Sequence, residues 1–194
     1  MENVKHLITK EHMPGFIEWI GRLKELGYHS EWKVLNAKDH GLPQSRERVI
    51  MVSALKGEYV NLKTFFPKKK PLLVSLGDLM EKDSEVDPKL FFPSHRPVME
   101  MNRLPSLERT DRIQRIGLMD GATFSRNRIY SYTGIAPTLT LSSKNHAPRI
   151  WTGRRVRLIS ALEAWRLMGI PDRTQDSVKQ RFMKKQGAVL LSRY

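Results

Sequence analysis

The feature that most constrains the fold is a short apolar run, Arg48-Val-Ile-Met-Val-Ser-Ala54, rich in branched side chains. A run of this length predicts a strand buried on both faces. It follows a weakly alternating segment, Glu31–Asn36, that predicts another strand. Before that, helical spacing with Pro14 near the start and Gly27 as a stop predicts a helix over about 14–26. Helix, strand, loop and strand in this order indicate a fragment of an α/β sheet that is too short to be complete.

The middle of the chain has a different character. Between Lys56 and Pro148 the sequence shows little sustained periodicity, and most of the 11 prolines fall there. Because prolines end helices and interrupt strand ladders, this stretch predicts a small, irregular, loop-rich domain.

The last part of the chain contains one well-marked helix. Ser160-Ala-Leu-Glu163 fits a capping box, in which the Ser hydroxyl and the Glu carboxylate accept from amides at the start of a helix. The spacing places Leu162 and Trp165 on the buried face, and Gly169 ends the helix. A second, basic helix is predicted over about 175–185.

The charge of the chain indicates its class of partner. The formal net charge of the 194 residues is +14, and from His146 to Tyr194 eleven Arg and Lys residues stand against three acids. This excess favours a polyanionic partner, because neutralised phosphates release counterions. A solvated basic face that binds nothing is the alternative.

The composition also excludes several kinds of chemistry. There is no cysteine, so disulfides, thiolate metal sites and thiolate catalysis by this chain alone are impossible. No apolar run approaches the ~18 residues of a membrane span, and no membrane partner is expected. The histidines show no metal-ligand spacing, so no metal site is expected among the six of them: His6, His12, His29, His40, His95 and His146.

Three groups of residues, in this order, resemble motifs of the C5-cytosine DNA methyltransferases. Glu2-Asn3-Val4 is similar to the family's Glu-Asn-Val motif. Asn36-Ala-Lys-Asp-His-Gly-Leu-Pro-Gln-Ser-Arg-Glu-Arg48 closely resembles its Gln-x-Arg-x-Arg motif with the strands on either side. Ile135-Ala-Pro-Thr-Leu-Thr140 and Arg155–Asp172 look like the segments that close the target-recognition region. The tripeptide alone is common by chance, so the resemblance depends on the joint order and spacing.

The resemblance implies roles for particular residues. In this family a thiolate adds to C6 of a flipped cytosine, and C5 then attacks the methyl group of S-adenosylmethionine. Glu2 would hydrogen-bond N3 and the exocyclic amine, while Arg48, helped by Arg46, would contact O2 and nearby phosphate. Gln44, which we assign to DNA binding, would hold the loop or backbone rather than act on the base. The other residues that we assign to DNA binding are Arg126, Arg128, Thr138, Thr140 and Arg155.

The resemblance also implies a fold class: α/β, the C-terminal fragment of a Rossmann-like, S-adenosylmethionine-dependent methyltransferase sheet plus a small irregular target-recognition domain. Residues 1–57 would form the distal part of the catalytic domain, 58–150 the target-recognition domain, and 151–194 closing helices that return to the catalytic domain. The implied cofactor is S-adenosyl-L-methionine, with its contact residues unknown. The implied partner is double-stranded DNA. The implied setting is restriction–modification, with a protein of prokaryotic or phage origin that is associated with DNA in the cytoplasm.

Two features depart from the family pattern. The family's Pro-Cys pair and its glycine-rich cofactor loop lie upstream of Glu-Asn-Val, and neither is in this sequence. The family's last Gly-Asn motif corresponds to Lys185-Gln-Gly-Ala-Val-Leu-Leu191, which has no Asn. A reading-frame slip near Gln186 is one hypothesis for that difference. The chain alone is therefore expected to be inactive in methyl transfer.

Three hypotheses remain open from the sequence. The chain is the distal part of a methyltransferase, either truncated or working with an N-terminal chain that carries Pro-Cys. It is a relic that retains sequence-selective DNA binding without catalysis. Or it is an unrelated basic domain that binds nucleic acid and whose motifs match by accident.

Overall fold

A computed structural model of the chain describes residues 1–57, 61–92, 98–99, 108–119, 127–139 and 147–172. The chain forms two compact units. The first consists of Met1–Gly41 and Arg46–Pro71, and the second of Leu42–Ser45 and the residues from Leu72 onward. None of the helices in the described ranges is both long enough and apolar enough to cross a membrane.

The first unit is built on a three-stranded antiparallel sheet in the order β1-β3-β2. These strands are β1 (Glu2–Val4), β2 (Tyr28–Asn36) and β3 (Glu47–Leu55), and helix α1 (Met13–Glu25) lies between the first two in sequence. Single turns of 3-10 helix occur at Lys5–Ile8, Ala37–Asp39 and Leu62–Phe65. The predicted helix and both predicted strands are therefore confirmed, with bounds that differ by a few residues.

One turn of the first unit shows why the sequence predicts its boundaries well. Gly27 follows Leu26, the C-terminal capping residue of α1, and adopts φ +84°, a left-handed conformation that glycine enters without a steric penalty. Its amide donates to Lys24 O at 3.0 Å, which closes the helix before β2 begins.

The core of the first unit lies between α1 and one face of the sheet. Phe16 of α1, with Val49 and Met51 of β3, is buried, and the Phe16 and Trp32 rings meet edge to face at 5.5 Å. Ile50 of β3 remains partly exposed. The prediction that this strand is buried on both faces is therefore wrong, because alternate side chains of a strand point to opposite faces and α1 packs on one.

The second unit is built on a five-stranded sheet in the order β4-β5-β6-β7-β8. Only the β6–β7 pair is parallel among these described strands. The strands are β4 (Val98–Met99), β5 (Arg115–Met119), β6 (Arg128–Ser131), β7 (Arg149–Trp151) and β8 (Val156–Leu158). Helix α2 (Ala161–Leu167) follows, and single 3-10 turns occur at Leu76–Leu79 and Pro88–Leu90.

The middle of the chain is therefore more regular than its sequence indicates. Strands of two to five residues are too short to display a period-two pattern. A buried apolar cluster nevertheless forms around Ile150 and Leu167, and a second one around Ile129 and Val156. The predicted boundary between the second and third domains falls at residue 150, within β7, and β7 pairs with β8 in this unit. The three-part division of the chain into domains stays a prediction.

Helix α2 begins with the predicted capping box. Ser160 Oγ accepts from Glu163 N at 3.1 Å, and Glu163 Oε2 accepts from Ser160 N at 2.8 Å. The predicted buried face is wrong: Glu163 and Leu167 are the buried residues of α2, while Trp165 is only partly buried. The predicted helix over 175–185 lies outside the described residues.

Candidate functional site

Strand pairing in the first unit brings Glu2 and Arg48 together. In the β1–β3 register Glu2 lies opposite Ile50 and Val4 opposite Arg48, so the two charged residues are diagonal neighbours. Arg48 Nε lies 2.8 Å from Glu2 Oε1, and Arg48 Nη1 donates to Glu47 O at 2.7 Å. The Glu2 side chain is 54% exposed and that of Arg48 18%. A fixed guanidinium therefore holds a carboxylate that is open to a ligand.

Arg46 is positioned by its backbone. Its amide donates to Asn36 Oδ1 at 3.0 Å, and its carbonyl accepts from Ala37 N at 3.0 Å. Asn36 Oδ1 also accepts from Lys38 N. Asn36 thus joins the end of β2 to the residue that precedes β3. Asn36 has no role among the sequence-based predictions, although an Asn at a strand end that caps its own turn is a recognisable signal.

The three charged groups act on one another. Burial lowers the pKa of Arg46, the nearby charge of Arg48 lowers it further, and the carboxylate of Glu2 acts in the opposite direction. A guanidinium stays protonated through such changes at neutral pH. The structure therefore brings the three predicted catalytic residues together as two cations and one anion.

Gln44 belongs to the second unit and lies beside a strand-like segment. It forms an isolated parallel bridge with Ala136; Ser45 N donates to Ala136 O and Ala136 N donates to Pro43 O, both at 2.8 Å. Thr138 Oγ1 donates to Ser45 O at 2.7 Å. The predicted residues Gln44 and Thr138 thus lie on two segments that are hydrogen-bonded to each other. Gln44 is 1% exposed, and its Nε2 has no partner among the described residues.

The remaining predicted DNA-binding residues are scattered. Arg128 is the first residue of β6, and its Nε is buried without a hydrogen-bond partner in the described part of the chain. Arg155 is exposed, with its guanidinium 5.9 Å from the centre of the Phe91 ring, and it lines a cavity of about 450 Å³ that Asp83 also lines. Arg126 and Thr140 lie outside the described residues.

The described residues do not fit the implied cofactor. S-adenosylmethionine is a drug-sized ligand, and such ligands are mostly enclosed by their pockets. The two cavities described in the structure are lined by residues such as Asp83 and Phe91, or Met13 and Ile17, and neither is lined by Glu2, Arg46 or Arg48.

Comparison with protein families gives one match over nearly the whole chain. A profile described as C-5 cytosine-specific DNA methylase matches residues 1–188. Type II methyltransferase M2.ScrFI of Lactococcus lactis subsp. cremoris is 31% identical over 176 residues, which cover 91% of this chain and 44% of that protein. Type II methyltransferase M.HhaI of Haemophilus parahaemolyticus is 30% identical over 99% of this chain and 59% of its own length. The chain spans about half the length of these relatives.

Solved structures share the fold. The S. pombe Dnmt2 methyltransferase is similar with a TM-score of 0.52 at 18% identity, over 88% of this chain and 54% of that one. The Entamoeba histolytica methyltransferase EhMeth is similar with a TM-score of 0.56 at 13% identity, over 88% and 49%. The α/β fold class, with its Rossmann-like relatives, is confirmed.

Proposed function

Since this chain belongs to the C-5 cytosine-specific DNA methylase family, which uses S-adenosyl-L-methionine and acts on DNA, we propose that it supplies DNA target recognition and the Glu–Arg half of a cytosine pocket. Methyl transfer to cytosine C5 then requires a cysteine-bearing segment or partner chain, because this sequence contains no cysteine. Its site of action is double-stranded DNA in the cytoplasm of a prokaryotic cell.

The observation that supports this proposal most is the contact of Glu2 with Arg48. The exposed carboxylate can accept from the exocyclic amine of a flipped cytosine, while the guanidinium behind it holds the carboxylate in place. Arg46 adds a second cation that is coupled to both groups. The cluster carries one net positive charge, so it stabilises negative charge that develops on N3 and O2 of the ring.

The charge of the whole chain supports the DNA-recognition part of the proposal. A net charge of +14 provides salt-sensitive attraction to phosphates. In the second unit, Arg155 presents an exposed guanidinium, and Thr138 and Gln44 fix the segments that surround them through backbone contacts. An exposed guanidinium suits contacts with phosphates, which orient a protein on a duplex, whereas contacts with base edges determine the sequence.

The test is a methyl-transfer assay with tritiated S-adenosylmethionine and duplex oligonucleotides. The chain is assayed alone and with an added polypeptide that carries the Pro-Cys pair and a glycine-rich loop. We expect no transfer from the chain alone and transfer from the pair. In the pair, Arg48→Ala should lower kcat by about 10²–10³, the cost of losing one donor to a developing oxyanion. Label on DNA from the unaccompanied chain would refute the proposal.

A matched control uses a similar ion pair away from the site. Arg22 Nη2 lies 2.7 Å from Glu18 Oε1 on α1, and both side chains are exposed. Arg22→Ala should leave the rate of transfer unchanged. If Arg22→Ala and Arg48→Ala lower kcat equally, the effect comes from the general loss of positive charge and the pocket assignment is wrong.

A second candidate function follows from the missing cysteine. A family member that cannot form the covalent adduct can still bind DNA selectively. Such a relic binds duplex DNA with an affinity that falls steeply with salt. It gains no methyl transfer when the cysteine-bearing polypeptide is added. The same assay therefore separates the two functions.

A further inference from the structure

The segment that connects β1 to α1 gathers three side chains of the types that ligate metals. The ligand atoms of His6, Glu11 and His12 all lie within 4.8 Å of one another, and all three side chains are exposed. The two imidazole rings are 4.6 Å apart between centroids and inclined by 71°. These residues are separate from the Glu2–Arg48 pair and have no part in the proposed DNA chemistry. We propose that they form a Zn²⁺ site.

The backbone fixes the spacing of these ligands. Thr9 N and Thr9 Oγ1 both donate to His6 O, at 3.1 and 2.8 Å. His12 N and Met13 N donate to Thr9 O, at 3.0 and 2.8 Å. This double turn reverses the chain between the two histidines, which are six residues apart in sequence. The prediction of no metal site among the histidines depended only on the number of residues between them. A turn can bring together residues whose separation in sequence does not match the repeat of a helix.

The donor set suits zinc rather than a hard cation. Two imidazole nitrogens and one carboxylate oxygen resemble a three-ligand zinc site whose fourth position holds water. Imidazole favours Zn²⁺ and its neighbours in the periodic table, whereas Mg²⁺ and Ca²⁺ prefer oxygen. With Zn–N near 2.0–2.1 Å, tetrahedral ligand atoms lie about 3.3 Å apart. Rotation of the exposed side chains closes the remaining ~1.5 Å, a motion that costs little at the surface.

The charges around the site make the carboxylate essential. His12 is the N-terminal capping residue of α1, so the positive end of the helix dipole opposes a cation there. Lys10 adds positive charge in the same segment, and the charge of Lys5 is partly offset by Glu47, 2.9 Å away. The carboxylate of Glu11 is the anionic ligand that offsets them. Its removal should therefore weaken binding as strongly as the removal of an imidazole.

The test is calorimetric titration of Zn²⁺ into the untagged full chain after treatment with a chelator. We expect one Zn²⁺ per chain and a loss of affinity of about tenfold or more in His6→Ala, His12→Ala and Glu11→Gln. Saturating Zn²⁺ should raise the Tm of the wild type by about 5 °C and leave that of His6→Ala unchanged. His12→Gln, which keeps a polar side chain, repeats the measurement should His12→Ala fail to fold by circular dichroism.

The matched control is His29→Ala. His29 Nε2 lies 3.8 Å from Glu31 Oε1 on β2, and this pair of an exposed His and a half-buried Glu is not part of a three-ligand group in the described residues. Its replacement should leave the Zn²⁺ affinity unchanged. Failure of the wild type to bind Zn²⁺ saturably, or equal binding by His6→Ala and His12→Ala, would overturn the proposal. So would displacement of Zn²⁺ by an equal concentration of Mg²⁺.

Discussion

The buried ion pair between Arg157 and Glu163 gives the sharpest test of how the second unit is held together. Both side chains are 0% exposed, and two hydrogen bonds join them: Nη2 to Oε1 at 2.6 Å and Nη1 to Oε2 at 2.8 Å. Burial by itself lowers the pKa of Arg157, but the hydrogen bonds and charges of Glu163 and Asp83 outweigh it and the net pKa is raised. The perturbation is Glu163→Leu, which leaves the guanidinium buried without its main partner.

The structure sets the magnitude. Breaking a buried pair from one side costs about 3–5 kcal/mol. Glu163 also accepts from Ser160 N and from Glu81 N, each at 2.8 Å, and a buried amide that loses its acceptor costs ~1–3 kcal/mol. Asp83 and two carbonyls still contact Arg157, so these costs do not add fully. We expect Glu163→Leu to lower the free energy of unfolding by about 5 kcal/mol, near the lower end of total domain stability.

Arg157→Met should cost less, about 3 kcal/mol, because the carboxylate of Glu163 keeps the two backbone donors. The double variant should be more stable than Glu163→Leu alone, since it buries no unpaired charge. The assay is urea unfolding followed by tryptophan fluorescence, to which Trp151 and Trp165 of this unit contribute. For a slope of ~2 kcal/mol/M, Arg157→Met moves the midpoint by about 1.5 M.

The control is Arg22→Met, the same substitution in the exposed pair with Glu18. Its effect should stay below about 0.5 kcal/mol. The reasoning is refuted if Glu163→Leu shifts the midpoint no more than Arg22→Met does. It is equally refuted if the double variant loses as much stability as the two single variants together.

Two further predictions concern backbone packing and acidity. A Cβ at Gly134 would lie 2.6 Å from Arg112 O, so Gly134→Ala should lower the free energy of unfolding in urea by about 1–3 kcal/mol. The control is Gly21→Ala in α1, where a Cβ meets open space and should raise that free energy by roughly 0.5 kcal/mol. The Ser75 amide, aided by the Ser75 hydroxyl, holds the pKa of Asp78 below its ordinary 3.8. The ionised carboxylate therefore contributes its full stability above pH 3.8, and this contribution is lost as the pH falls through the lower pKa of the folded state. Urea unfolding in a pH series should therefore show the wild type and Asp78→Asn converging below pH 3.8, and a gap that stays constant with pH would contradict this.

The sequence predicted the elements whose formation depends on interactions between residues close together in the chain. The helix that ends at Gly27 and the capping box at Ser160 depend on residues within one or two turns, so the sequence contains all the information they need. The order of the three motif-like segments was likewise enough to identify the family. The roles of Glu2, Arg46 and Arg48 stay predictions, but their proximity follows from the β1–β3 register.

Tertiary structure decided what depends on residues far apart in the chain. The sequence placed apolar residues on the buried face of α2, yet Glu163 is buried there because Arg157 and the amide of Glu81, 82 residues away, satisfy its carboxylate. A charge can be buried only where partners exist, and those partners come from other segments. The short strands of the second unit follow the same reasoning, because they depend on pairing between separate segments. The gathering of His6, Glu11 and His12 is local instead, since a turn within residues 6–13 brings them together, but a pattern of residue types does not contain that turn either.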